Sequence, residues 1–331
     1  VSEVLTVLQT ITRNPDRIAQ LEEGVSAVGA RTGHPLVVRS ATERADVLAA
    51  LPAATFLLTY RIDPELFAAG RGLRWIHFGA AGIEHSLFLD LLTSPIPISL
   101  SKGVHGDVMA EYALMGLLAL AVGLPQALDA ARRREWIGKP LQPLHHSIAG
   151  RRLLVLGLGE TGRPAALAAA RMGMRVRGVR RRPHSGPPPK GLEGIHTLAD
   201  MDGLLPQTDY LLLALPGTPQ TIGLMDERRL RLLPAGAGLV NFARGALLDE
   251  AALLRVLDDG HLRGAVLDTF GTEPLPEDSL LWNHPRVIVT PHISGNFDAY
   301  TERVVEGFLD NLYRLLTGVS LRFPLDRESG Y

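Results

Sequence analysis

Gly157-Leu158-Gly159-Glu160-Thr161-Gly162 is a G-x-G-x-x-G turn that follows the apolar run Leu153-Leu154-Val155-Leu156. Glycines at this spacing, between a strand and a helix, suit a dinucleotide. The first makes the turn, the second lets the backbone approach a pyrophosphate, and the third permits close strand–helix packing. The N–H groups at the helix start and the helix dipole then face the phosphates. Because the chain has 34 glycines, the pattern alone is weak and its strand–turn–helix context carries the assignment. About 20 residues on, where such a site commonly has an acid for the ribose, stand Arg180-Arg181-Arg182. An acid there would repel a 2′-phosphate, whereas guanidinium groups offer it a planar fork. Arg180 and Arg181 therefore point to NADP(H) rather than NAD(H); the alternative is a solvated basic edge like Arg132-Arg133-Arg134.

Three further motifs follow, each at a predicted strand end or in the loop after it. They are Val240-Asn241-Phe242-Ala243-Arg244-Gly245, Leu267-Asp268-Thr269-Phe270-Gly271-Thr272-Glu273-Pro274, and Thr290-Pro291-His292-Ile293-Ser294. In an open α/β sheet the carboxyl ends of the strands converge on the ligand crevice, so these side chains can meet.

The elements that would position them come from alternating apolar runs and helix-favouring stretches. Residues 4–8, 36–38, 56–60, 75–78 and 96–100 predict strands, with helices over 41–50 and 64–69. Asp107 predicts the N-cap of one long helix running towards Arg134. Beyond the glycine turn, strands are predicted at 174–179, 210–215, 238–242, 264–267 and 287–289, and a final helix over 299–316; the proline-rich stretch 183–191 is a loop. Two α/β units in series result, the second with the make-up of a doubly wound nucleotide fold.

The bulk numbers fit a soluble two-domain enzyme: 331 residues, 46% hydrophobic and 21% charged. A net charge of −1 gives no field to draw the chain to nucleic acid or an anionic membrane. The absence of cysteine removes disulfides, thiolate nucleophiles and Cys-ligated zinc, and no metal site is expected. Residues 112–128 carry no formal charge but are short for a membrane span and contain Pro125, so a buried helix at a domain or subunit junction is expected. With no basic-then-apolar leader at the start of the sequence, the expected location is cytoplasmic.

These motifs, in this order, resemble the D-isomer-specific 2-hydroxyacid dehydrogenases of the glyoxylate/hydroxypyruvate reductase type. The resemblance covers nearly the whole chain, including the Gly79-Ala80-Ala81-Gly82-Ile83 loop, Met109-Ala110-Glu111 and the tail from Asp326 to Tyr331. It implies two doubly wound parallel-sheet domains, a Rossmann cofactor domain (103–292) inserted into a discontinuous flavodoxin-like substrate domain (1–102 plus 293–331). It also implies a catalytic Arg244, Glu273 and His292, backbone N–H groups of Ala81 and Gly82 on the substrate carboxylate, and Asp268 on the nicotinamide carboxamide.

The chemistry of reducing a 2-oxo acid asks for the same side-chain types. An alkoxide formed by hydride addition needs a proton, and imidazole ordinarily titrates near neutral pH. Glu273, if bonded to the ring, would orient it and stabilise its charge; Arg244 can bind carboxylate and polarise the carbonyl. A homodimer is implied through residues 112–128 and 136–146. His105 stands where many members have Asn, and Glu84 where Asp is frequent, which leaves the substrate's identity open. Phosphoglycerate dehydrogenase is the nearest alternative and a dinucleotide-sensing corepressor the alternative of a different class. The chain has no Tyr-x-x-x-Lys pair for the short-chain mechanism, and formate dehydrogenases pair their histidine with Gln instead of Glu.

Overall fold

A computed structural model describes residues 3–327, the side chain of Glu84 excepted; Glu84 and the last four residues of the tail thus lie outside the described part. The chain forms two compact units, one of residues up to Val104 together with those from Phe297, the other His105–Asn296. The second crossing falls a few residues beyond the expected 292/293 boundary. Ile293 and Ser294 donate their N–H groups to Asp268, and His105 Nδ1 bonds Gly295 O (3.0 Å), so this stretch stays with the cofactor unit.

The first unit is a five-stranded parallel sheet of β1 (Leu5–Gln9), β2 (Leu36–Ser40), β3 (Phe56–Thr59), β4 (Trp75–Phe78) and β5 (Ile98–Leu100), in the order β2-β1-β3-β4-β5. This is the flavodoxin-like order. β1, β3 and β4 are buried throughout because helices cover both faces. Successive side chains alternate between two cores: Val7, Phe56, Leu58 and Trp75 meet Val304, Val305 and Phe308 of the final helix, while Leu8, Leu57 and Ile76 pack on the other face. An 18-residue helix, Pro15–Thr32, occupies a stretch where the apolar-run reading places no element. Its signals are present: Asn14 accepts from Asp16 N and Arg17 N, Pro15 opens the helix and Gly33 closes it at φ +73°. Its apolar stripe of Leu21, Val25 and Val28 is diluted by charged residues.

The second unit holds seven parallel strands: β6 (Arg152–Leu156), β7 (Arg175–Val179), β8 (Leu192–His196), β9 (Tyr210–Leu213), β10 (Ala237–Asn241), β11 (Leu262–Leu267) and β12 (Val287–Val289). Their order, β12-β11-β10-β9-β6-β7-β8, is the Rossmann order with one added strand, and the direction of winding reverses between β6 and β9. β8 also escapes the sequence reading; as an edge strand it is only partly buried and has no apolar run.

The expected single helix from Asp107 to Arg134 is two helices. Gly106–Ala121 has His105 at its N-cap, with Asp107 in the first turn. Gly123, at φ +68°, ends the run and Leu124–Arg132 departs at 70°. Among the described residues no single helix is long and apolar enough to cross a membrane.

Candidate active site

The glycine turn leaves β6 at the point where the winding reverses. Gly157 sits at φ +107°, and a Cβ there would lie 2.3 Å from Ala214 O on the neighbouring strand's exit. A Cβ on Gly162 would lie 1.8 Å from Gly157 O. These two glycines are demanded by the protein itself. Gly159 is not: a Cβ there meets no atom within 4 Å, so its bareness serves approach by a ligand. The Gly162–Arg171 helix follows, and Thr161 at its N-cap makes no side-chain capping bond, leaving the helix start to an anion. The residues present therefore fit a dinucleotide's pyrophosphate. Arg180 directly follows β7, its backbone N–H held by His196 O (3.0 Å). It is half-buried, whereas Arg181 is exposed.

Arg244 is placed by a buried asparagine. Asn241, closing β10, accepts Ala243 N–H (3.1 Å) and donates to Arg244 O (3.0 Å), shaping the turn that carries the arginine. Gly245 lies so close to the next strand's exit that a Cβ would fall 1.8 Å from the carbonyl carbon of Phe270. Phe270 N–H in turn donates to Glu273 Oε1 (2.9 Å), and Glu273 Oε2 accepts from His292 Nδ1 (2.7 Å). One carboxylate oxygen thus anchors the acid to its own loop and the other orients the ring. With Nδ1 committed, Nε2 is the nitrogen that can exchange a proton. The His292 side chain is 50% exposed, so Nε2 is within reach of a small molecule.

His292 itself has φ +52°, a left-handed conformation that costs a non-glycine residue about 1–3 kcal/mol. Its N–H bonds Asp268 O and Thr290 O, both at 3.0 Å. Asp268, fully buried, accepts Thr290 Oγ1 (2.6 Å) and Ile293 N (2.9 Å) on one oxygen and Ser294 N (2.8 Å) on the other. Asp268 thereby shapes the loop bearing His292, a task separate from the expected carboxamide contact.

In the first unit, Ala81 and Gly82 follow β4 in a loop anchored by the fully buried Ile83. Ser101 N–H holds Phe78 O (2.9 Å) and Ala80 O (3.1 Å), and Tyr300 OH bonds Gly79 O. Neither Ala81 N–H nor Gly82 N–H bonds another described residue, so both remain available to an anion. Beneath the loop lies His77. Trp75 Nε1 donates to Ser99 Oγ (3.0 Å), and the His77 ring shares hydrogen bonds with Ser99 Oγ through Nδ1 (2.7 Å) and with Ser101 Oγ through Nε2 (3.0 Å). Burial pushes His77 down to about 3, which keeps it neutral and structural.

The sequence model of the D-isomer specific 2-hydroxyacid dehydrogenase, NAD binding domain, matches residues 114–294, more than half of the chain. The chain belongs to the D-isomer specific 2-hydroxyacid dehydrogenase family. Within that family, glyoxylate/hydroxypyruvate reductase A of Salmonella paratyphi B is 32% identical over 84% of this chain and 88% of its own. D-3-phosphoglycerate dehydrogenase of Mycobacterium bovis is 32% identical over 83% of this chain, which spans about half (52%) of that protein's length. A solved D-isomer specific 2-hydroxyacid dehydrogenase from Xanthobacter autotrophicus Py2, in complex with NADPH and MES, shares 28% identity and a TM-score of 0.81, with both chains covered in full.

Four residues around this 2-hydroxyacid dehydrogenase site had no role in the sequence reading: Asn241, Thr290, Ser294 and Tyr112. The signal for Asn241 and Thr290 was a polar residue closing an apolar strand run. Tyr112 and Ser294 had none, because their partners lie 178 and 26 residues away.

Proposed function

We propose that this protein reduces small 2-oxo acids to D-2-hydroxy acids with NADPH in preference to NADH, glyoxylate and hydroxypyruvate being the substrate type. The observation that carries the reading is the 2.7 Å bond from His292 Nδ1 to Glu273 Oε2, with Arg244 at the adjoining strand end. When bound, a reduced nicotinamide supplies the hydride to C2 of the substrate. His292 Nε2 gives its proton to the alkoxide oxygen and Glu273 holds the resulting ring geometry. Arg244 binds carboxylate and polarises the carbonyl, and the Ala81 and Gly82 N–H groups are the further carboxylate donors that the family resemblance implies. Asp268 fixes the loop and orients the nicotinamide carboxamide. Arg180 and Arg181 take the 2′-phosphate.

The test is oxidation of NADPH and NADH against glyoxylate, hydroxypyruvate, pyruvate, 2-oxobutyrate and phenylpyruvate. NADPH should exceed NADH in kcat/KM by at least about tenfold, or 1.4 kcal/mol; a clear NADH preference overturns the role of Arg180 and Arg181. The 32% identity to D-3-phosphoglycerate dehydrogenase favours a second reading, scored in the reverse direction by reduction of NAD+ or NADP+ with 3-phosphoglycerate. Tight cofactor binding without turnover of any 2-oxo acid would instead favour a dinucleotide sensor.

We also propose a homodimer. Met115, Leu118 and Val122 share one helix face and are 39–40% exposed, and Trp136 is fully exposed nearby in sequence. Sedimentation at micromolar concentration should give twice the 35.8 kDa chain mass; a monomer would exclude this use of the face.

A further inference from the structure

The left-handed backbone of His292 needs support that its own loop does not fully supply. Three donors meet the buried Asp268 carboxylate, and two of them, Ile293 N–H and Ser294 N–H, belong to the segment just after His292. The third is the Thr290 hydroxyl, two residues before it. A threonine hydroxyl has a single proton, and the 2.6 Å bond commits it to Asp268 Oδ1. Thr290 Oγ1 can therefore only accept from its other neighbour, the Tyr112 hydroxyl at 2.6 Å, which must be the donor. Tyr112 lies on the Gly106–Ala121 helix, seven residues past the His105 N-cap, with its ring against the edge of Phe242 in the turn before Arg244.

We propose that Tyr112 and Thr290 are positioning residues for His292, forming a one-way chain of hydrogen bonds, Tyr112 to Thr290 to Asp268, that holds the histidine loop in its left-handed form. The inference rests on the role given to His292 under the proposed function. The chain sets the Thr290 rotor so that its proton always faces Asp268. Asp268 then keeps two N–H groups beyond His292 in place, and the ring stays on Glu273. Without the phenol hydroxyl, Thr290 can turn its proton elsewhere and the loop relaxes from the left-handed conformation. A displacement of about 1 Å at a reacting group can cost up to about 10²-fold in rate.

Four variants test it in the 2-oxo acid assay. Tyr112→Phe should lower kcat about tenfold and leave the cofactor KM within about twofold, because the ring and its packing remain. Thr290→Val should match it, and Thr290→Ser, which keeps the hydroxyl, should restore most of the rate. Tyr210→Phe is the control: another buried phenol, bonded to His146 (2.7 Å) and Arg263 (3.0 Å) at the start of β9, away from the strand exits. It should leave kcat unchanged. The deciding measurement repeats Tyr112→Phe in a His292→Asn background, where the loss should shrink below about twofold. An equal loss in both backgrounds, or an equal loss in Tyr210→Phe, overturns the proposal. Absence of turnover in the unmutated protein would strike the proposed function itself, a distinct result.

Discussion

His292→Asn is expected to lower kcat for 2-oxo acid reduction by about 10²–10⁴, the range over which general acid help acts. Asparagine suits the test for a structural reason. It tolerates positive φ better than most residues, and its side-chain amide can still donate towards Glu273 Oε2. The loop and its bonds to Asp268 are therefore kept, and only the proton-exchanging nitrogen is lost. Cofactor affinity should stay within about twofold, because the glycine turn leaves a different strand, β6, from the one that leads to His292. Steady-state kinetics together with cofactor titration separates the two quantities. A kcat within about tenfold of the parent would mean that the proton comes from another group.

Gly162→Ala should damage fold and cofactor binding together. The new Cβ would lie 1.8 Å from Gly157 O and 2.9 Å from the Ala214 side chain, so backbone has to move. Neither side yields easily. Gly157 N–H is tied to Val179 O (2.9 Å), and the helix behind Gly162 buries Ala165, Ala166 and Ala169 in the core. A loss of about 2–4 kcal/mol is expected, which for a unit of this size lowers Tm by roughly 5–15 °C. Cofactor affinity should fall by at least about 10²-fold as the helix start shifts. Gly159→Ala supplies the contrast, since its Cβ meets no protein atom. That variant should melt like the parent and still bind cofactor poorly. Equal cofactor affinity for the Gly159→Ala protein would falsify the placement of the pyrophosphate over this turn.

Both expectations draw on features that were legible in the chain, and the limits of that legibility follow from range. Central strands such as 75–78 and 210–213 read true because a strand covered on both faces must be apolar along its length. The edge strand Leu192–His196 did not, since one covered side leaves room for polar residues. The helix Pro15–Thr32 had its cap, its proline and its closing glycine, but only four of its residues are buried, too few to stand out among charges. The long helix after His105 failed at Gly123, where a positive φ ends the run; Gly123 and Pro125 were the local signal, outweighed by the apolar stretch around them.

The glycine turn, the arginines after β7 and the order of Arg244, Glu273 and His292 were all present in the sequence because each depends on residue type at short spacing. Those local patterns determined the fold class and the kind of chemistry. What tertiary structure alone decided is how these groups are held. Glu273 divides its oxygens between Phe270 and His292; Asn241 shapes the Arg244 turn; Asp268, Thr290 and Tyr112 support a left-handed histidine. The bond from Tyr112 to Thr290 spans 178 residues. No local pattern records it, because a hydrogen bond depends on distance and direction in space, and only the packing of the Gly106–Ala121 helix on β10 and β11 brings Tyr112 to Thr290.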